Sequence, residues 1–169
     1  MLSDKMNLTD LYCVWPFYCK RNFVGTRQHY ADTRRYHELI YVTDGECTST
    51  YKGKTVKNSP GTVQFLPKDT VGNKHYIDFI SQYNCITFYF DSDVPLSEEM
   101  MTYDFTNNSK IKAIFERALQ IWGRGETGYY HHAVSLFYSV LYEIEKNYFS
   151  GYMDSGAERR IEPAVEYIH

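Results

Sequence analysis

Between Tyr36 and Phe90 the chain alternates strand-forming residues with turn residues, and few folds accommodate that punctuation. Tyr36 to Thr43 stops at Asp44-Gly45. Cys47 to Tyr51 turns through Lys52-Gly53 into Lys54-Thr55-Val56-Lys57, a two-residue hairpin signal. Ser59-Pro60-Gly61 precedes Thr62 to Leu66, and Pro67-Lys68-Asp69 and Ser81-Gln82 bound the runs Lys74 to Ile80 and Asn84 to Phe90. Strand side chains alternate between two faces, so short runs of period two bury nothing alone. Recurring at about ten residues, they specify a sandwich or a small barrel.

The period then changes. Asp91 to Thr106 carries five acidic residues, no Lys or Arg, and Pro95, and reads as a connection. Asn107, Asn108 or Ser109 can cap a helix whose apolar positions Ile111, Ile114, Phe115, Ala118, Leu119 and Trp122 recur at three and four, ending at Gly123 or Gly125. A second helix, Tyr129 to Phe149, carries Ala133, Leu136, Phe137, Val140, Leu141, Ile144 and Tyr148 on one broad stripe, with Gly151 as its stop. Met153 to Ala157 is a linker, and Arg160 to Ile168 opens a third helix that is unfinished at His169. The expected class is mainly β with C-terminal α. Three segments are expected: a barrel with an N-terminal arm at 1–106, a helical segment at 107–152, and a linker with the start of a further domain at 153–169.

Composition excludes several roles. With 43% hydrophobic and 23% charged residues the chain is globular, and its net charge of -3 argues against a large surface for phosphate backbones. No apolar run approaches a membrane span, and the N-terminus lacks an apolar signal-peptide centre, so the expected address is the cytoplasm. Cys13, Cys19, Cys47 and Cys85 contain no C-x-x-C pair and read as reduced thiols. The 17 Tyr, 10 Phe and 2 Trp suit an organic-ligand pocket or an ordinary β core.

Arg35-Tyr36-His37-Glu38-Leu39-Ile40-Tyr41-Val42 with Asp44-Gly45, then Ser59 to Pro67, then Thr87-Phe88-Tyr89-Phe90, resemble in order the core strands of the amino-terminal part of AraC-family bacterial transcription regulators. Arg160 to Ile168 resembles the opening helix of that family's DNA-binding domain. The resemblance implies a cupin-like jelly-roll barrel that binds a small effector and dimerises. DNA would be read only by a domain with two helix-turn-helix motifs, lying beyond His169.

Metal-dependent cupins need histidines that this chain lacks. Glu38 and Gly45 fit the tail of the first motif, but the histidine positions fall on Asp32 and Arg34, or on Ala31 and Thr33. Gly61 and Pro67 fit the second motif, whose last Gly and His are replaced by Asp69 and Gly72. No metal and no cofactor are expected. His37 and His75 should point away from the barrel interior, as neighbours of Glu38 and of the row Gly72, Lys74, Tyr76. His131-His132 lacks the spacing of a helical metal pair.

With the family's mixed face turned inward, parity nominates a ligand lining of Tyr36, Glu38, Ile40, Lys74, Tyr76, Cys85, Thr87 and Tyr89, with Val42 beside them and Trp15 from an arm that closes the pocket or covers a sheet edge. Ile86, Phe88 and Phe90 would seal under the helices. Glu38, Lys74 and tyrosine hydroxyls suit a small polar organic ligand, a sugar among the candidates. Arg34-Arg35 and Lys52, Lys54 and Lys57 read as solvated edges. A homodimer is expected through the long helix, at Ala133, Leu136, Phe137, Val140, Leu141 and Ile144. The expected function is non-enzymatic sensing. Its rival is a metal-independent cupin enzyme such as a sugar epimerase or isomerase, using Glu38, Lys74 or a Tyr hydroxyl as acid and base.

Overall fold

A computed structural model describes residues 11–30, 34–69, 72 and 74–149. In chain order these form β1 (Leu11–Arg21), β2 (Arg27–Tyr30), β3 (His37–Asp44), β4 (Cys47–Tyr51), β5 (Lys54–Asn58), β6 (Thr62–Leu66), β7 (His75–Phe79), β8 (Tyr83–Ser92), β9 (Met101–Asp104), α1 (Ser109–Arg124) and α2 (Tyr129–Tyr148). One sheet has the order β1-β8-β3-β6-β9 and the other β2-β7-β4-β5. Neighbouring strands are antiparallel throughout, as in a jelly roll.

The turns follow the residues that punctuate the sequence. Lys52 (φ 48°) and Gly53 (φ 79°) form the two-residue turn between the paired ends Tyr51 and Lys54. At Gly45 (φ 77°) the chain leaves one sheet for the other, passing so close to Gln82 that a Cβ would lie 1.7 Å from its carbonyl oxygen. Only glycine fits both constraints.

Parity sorts the five-stranded sheet into two faces. Leu39, Tyr41, Phe65, Ile86, Phe88 and Phe90 share one face and pack with α1 and α2 in the main core. Phe88 meets Phe115 at 5.3 Å, and Phe90 meets Phe137 at 4.5 Å. The opposite face looks onto the four-stranded sheet. There Ile40, Val42 and Cys85 pack with Cys47, Phe79 and Tyr83 in a smaller core.

α1 is held at both ends as its sequence implies. The Asn108 side chain accepts from the backbone N–H of Lys110 (3.0 Å) and Ile111 (3.4 Å), and the Gly125 N–H closes the last turn on Ile121 and Trp122.

Three strands escape the sequence reading. β1 contains Pro16, which argues against a strand interior, but β1 is an edge strand paired only with β8, where proline is tolerated. β2 is four residues long, and β9 lies inside the acidic stretch read as a connection. The linker, the third helix and the stop at Gly151 lie outside the described residues.

The stripe on α2 requires a correction. Ala133, Phe137, Val140 and Ile144 are at most 1% exposed and Leu141 is buried, all within this chain's own core. Leu136 packs half-buried against that core. α1 and β1 pack on α2, so Ala133, Phe137, Val140, Leu141 and Ile144 are occupied within this chain, and only Leu136 of the expected seam keeps an open side.

Candidate ligand site

The face of the five-stranded sheet turned away from the helices encloses, with the other sheet, a cavity of about 120 Å³. Register explains its wall. Tyr89, Glu38 and Leu66 lie opposite one another across β8, β3 and β6, and Thr87, Ile40 and Gln64 form the next row. Cys85 stands opposite Cys19 of β1. From the facing sheet come Ser49, His75, Ile77 and Phe79, with Tyr30 from β2.

Glu38, Ile40, Cys85, Thr87 and Tyr89 therefore line the cavity, at the positions parity gives them. Trp15 and Tyr36 do not line it. Trp15, opposite Tyr89 in register, stacks on that ring at 5.3 Å and meets Tyr36 edge-on at 4.7 Å, so both form an aromatic rim beside Tyr89. The segment carrying Trp15 is strand β1, at the edge of the five-stranded sheet.

Lys74 and Tyr76 are misplaced by the sequence reading. Lys74 is exposed and precedes β7, while Tyr76 faces outward and stacks on His29 at 4.7 Å. A slip of one residue exchanges the faces of a whole strand. β7 begins at His75, and pairing with Tyr51 and Tyr30 turns His75, Ile77 and Phe79 inward. The expectation that His75 points away from the interior is thus reversed. His37 does lie on the opposite face, buried against Phe65 and Phe90, and its Nδ1 accepts the Lys68 N–H at 3.0 Å.

Arg34, read in sequence as part of a solvated edge, is instead the main cation of the cavity. Its side chain is 12% exposed, and Nε lies 3.5 Å from Oε1 of Glu38. Nη1 donates to the Pro67 carbonyl at 2.6 Å, and Nη2 lies 3.2 Å from Nδ1 of His75. The i, i+4 spacing from Glu38 was the available signal, but nothing local in the sequence shows that Arg34 pairs with Asp69 and places its side chain on the cavity wall.

These groups titrate abnormally. Burial raises the Glu38 carboxyl from 4.5 to about 7 despite the opposing Arg34 charge. Burial and Arg34 lower His75 to about 4, so its ring is neutral at pH 7. Arginine can only donate, so Nδ1 of His75 accepts and the proton sits on Nε2. That Nε2 has no hydrogen-bond partner, although His75 is only 3% exposed.

A buried donor without an acceptor costs roughly 1–3 kcal/mol. The cavity wall thus holds two cations, Arg21 and Arg34, and a carboxyl near neutrality, with an orphan N–H buried beneath its surface. It can bind a small molecule rich in oxygen. Among the described residues no three His, Cys, Asp or Glu side chains gather as a metal site. A larger open groove of about 390 Å³ between 67–69 and 92–98 is lined by His37, Lys52, Lys68, Asp69, Asp93 and Glu98.

Residues 21–141 match the family model of the AraC-like ligand binding domain. No curated protein sequence matches the chain. ToxT from Vibrio cholerae strain SCE256, solved with an unsaturated fatty acid, is similar over 85% of this chain and 57% of its own, with 9% identity and a TM-score of 0.52. ToxT from Vibrio cholerae O395, bound to (E)-4-(8-methylnaphthalen-1-yl)but-3-enoic acid, is similar over 82% of this chain and 58% of its own, with 10% identity and a TM-score of 0.50. An RmlC-like cupin from Shewanella frigidimarina aligns over 47% of this chain and 68% of its own, with 16% identity and a TM-score of 0.39. This chain thus spans a little over half of each ToxT chain, and the likeness is one of fold.

Proposed function

The chain belongs to the family of AraC-like ligand-binding domains, and from that premise we propose that it is the effector-sensing part of a longer transcription regulator. Its effector is a small polar organic molecule, a sugar or another polyol, held between Arg34, Glu38 and His75. The charged pair Arg34 and Glu38 on the cavity wall carries this reading, and the buried Nε2–H of His75, which has no partner in this chain, would gain one only if side chains shift to admit a ligand oxygen. Tyr89 and Thr87 supply further hydroxyls on the cavity wall.

The size of the site limits the effector. About 120 Å³ is close to the roughly 150 Å³ of an engineered cavity that takes benzene, and below the usual range for drug-sized ligands. A long-chain effector would have to displace side chains.

In this proposal DNA is read by a domain that follows residue 169, as the partial coverage of ToxT supports. Signalling is a population shift, in which the effector favours one arrangement of barrel, helices and linker over another. The boundaries remain 1–106 for the barrel, 107–152 for the helices and 153–169 for the connection. The outer side of α2, where Tyr142 is exposed, replaces the buried stripe as the dimer surface. The protein works in the cytoplasm without metal or cofactor. No helix among the described residues is long and apolar enough to cross a membrane.

The test is calorimetric titration with a panel of pentoses, hexoses and small hydroxy acids, followed by variants on the best binder. His75→Phe and Arg34→Ala should each weaken binding at least about tenfold, the equivalent of ~1.4 kcal/mol. Lys74→Ala should leave it unchanged. Binding indifferent to both cavity variants would refute the site.

One observation favours the epimerase or isomerase reading: Glu38 titrates near neutrality, where a general acid or base works best. Solvent deuterium incorporation into the bound sugar, abolished by Glu38→Gln, would decide for it.

A further inference from the structure

Cys19 and Cys85 are directly opposed across the β1–β8 ladder, and both line the cavity. We propose that they are an oxidation site: a thiol pair that hydrogen peroxide converts into a disulfide joining edge strand β1 to the barrel wall.

The backbone already supports the bond. Directly opposed residues of antiparallel strands have Cα atoms about 4.5–5.5 Å apart, inside the roughly 4.4–6.8 Å range of disulfides. Both side chains project from the same face of the sheet into the cavity wall. Cys47 lies in the facing sheet, opposite Phe79, and facing sheets stand about 10 Å apart. It packs in the same small core as Cys85 but is not the cross-strand partner of either cysteine.

The two sulfurs differ in the way the reaction needs. Cys19 is partly exposed, and the neighbouring Cys85 and the Arg21 charge beside it hold its thiol below the ordinary range, which favours the thiolate. Cys85 is 5% exposed and stays protonated, with Thr87 Oγ1 3.8 Å from its sulfur.

The Cys19 thiolate attacks one peroxide oxygen. The O–O bond breaks, hydroxide leaves and takes a proton as water, and a sulfenic acid remains. The Cys85 sulfur then attacks the Cys19 sulfur. The S–S bond forms, the S–O bond breaks, and the thiol proton leaves with hydroxide as a second water. Two thiols lose two electrons and one peroxide becomes two waters. This step does not depend on the effector assignment. Any effect of oxidation on effector binding does, and it is measured separately.

The test exposes the reduced chain to hydrogen peroxide and counts free thiols, with intact mass and peptide mapping as the other readouts. The expected result is loss of two of the four thiols, a mass lower by two hydrogens, and one linked peptide joining Cys19 to Cys85. Cys19→Ser should abolish the loss. In Cys85→Ser, dimedone should trap a sulfenic acid on Cys19, which keeps the idea testable if the first variant does not fold. Four persistent thiols, a link through Cys13 or Cys47, or no dimedone adduct in Cys85→Ser would overturn the proposal.

Discussion

Replacing Phe137 with alanine tests whether the α2 stripe belongs to this chain's core or to a partner's. Phe137 is 0% exposed, and its ring lies 5.4 Å from Phe88 and 4.5 Å from Phe90, in the layer that joins α2 to the five-stranded sheet. Removing a buried phenylalanine ring takes roughly 150 Å² of apolar surface out of the core, worth about 4 kcal/mol at ~25 cal/mol per Å². Measured Phe→Ala changes of ~3–5 kcal/mol include the unfilled cavity, so about 4 kcal/mol is expected here. In a chain of this size that lowers Tm by roughly 8–16 °C. The assay is urea and thermal unfolding, followed by circular dichroism over a hundredfold range of protein concentration. The loss should be the same at every concentration, because the packing is within one chain. A loss below about 1 kcal/mol, or one that shrinks as protein concentration rises, would refute the reasoning and return Phe137 to a dimer seam.

Gly45→Ala should cost over ~3 kcal/mol or prevent folding, because its Cβ would overlap the Gln82 carbonyl, whereas Gly25→Ala, in open space, should cost only the ~1–2 kcal/mol of its left-handed backbone. Unfolding midpoints of the two variants make the comparison, and equal losses would contradict the close approach at Gly45. Acid should destabilise the protein as pH falls from 6.5 towards 4: His37 and His75 titrate at about 4 when folded and near 6.5 when unfolded, so the unfolded chain binds more protons in that window. Glu38, raised to about 7, acts in the opposite sense between 4.5 and 7, where stability is lost as pH rises, and Glu38→Gln should remove that decline. Urea midpoints from pH 4 to 8 test both, and a Glu38→Gln profile parallel to wild type would sink the second. Tyr142→Glu should shift any dimer towards monomer in sedimentation without lowering Tm, and a simultaneous collapse of Tm would place Tyr142 in the fold and not at an interface.

The β content, the hairpin at Lys52-Gly53, the cap at Asn108 and both helices follow from local chemistry: period-two and period-3.6 patterns, turn residues and capping side chains act within a few residues of themselves. Parity gave the correct face for Glu38, Ile40, Cys85, Thr87 and Tyr89 because β3 and β8 are long and apolar on their other face, so a slip would drive Leu39 or Phe88 out of the core. β7 also carries its apolar side chains, Ile77 and Phe79, on the inward face, against Lys74 and Asp78 on the other, but parity counted from Gly72 lands on the wrong face because β7 begins only at His75, where pairing with β2 and β4 sets the register. Long-range pairing likewise decides Arg34, whose place on the cavity wall depends on its bridge to Asp69, and the stripe on α2, which reads alike whether α1 or a second molecule covers it. Which side chains meet across the two sheets is a long-range outcome of strand order, and that order is not written in any local period of the sequence.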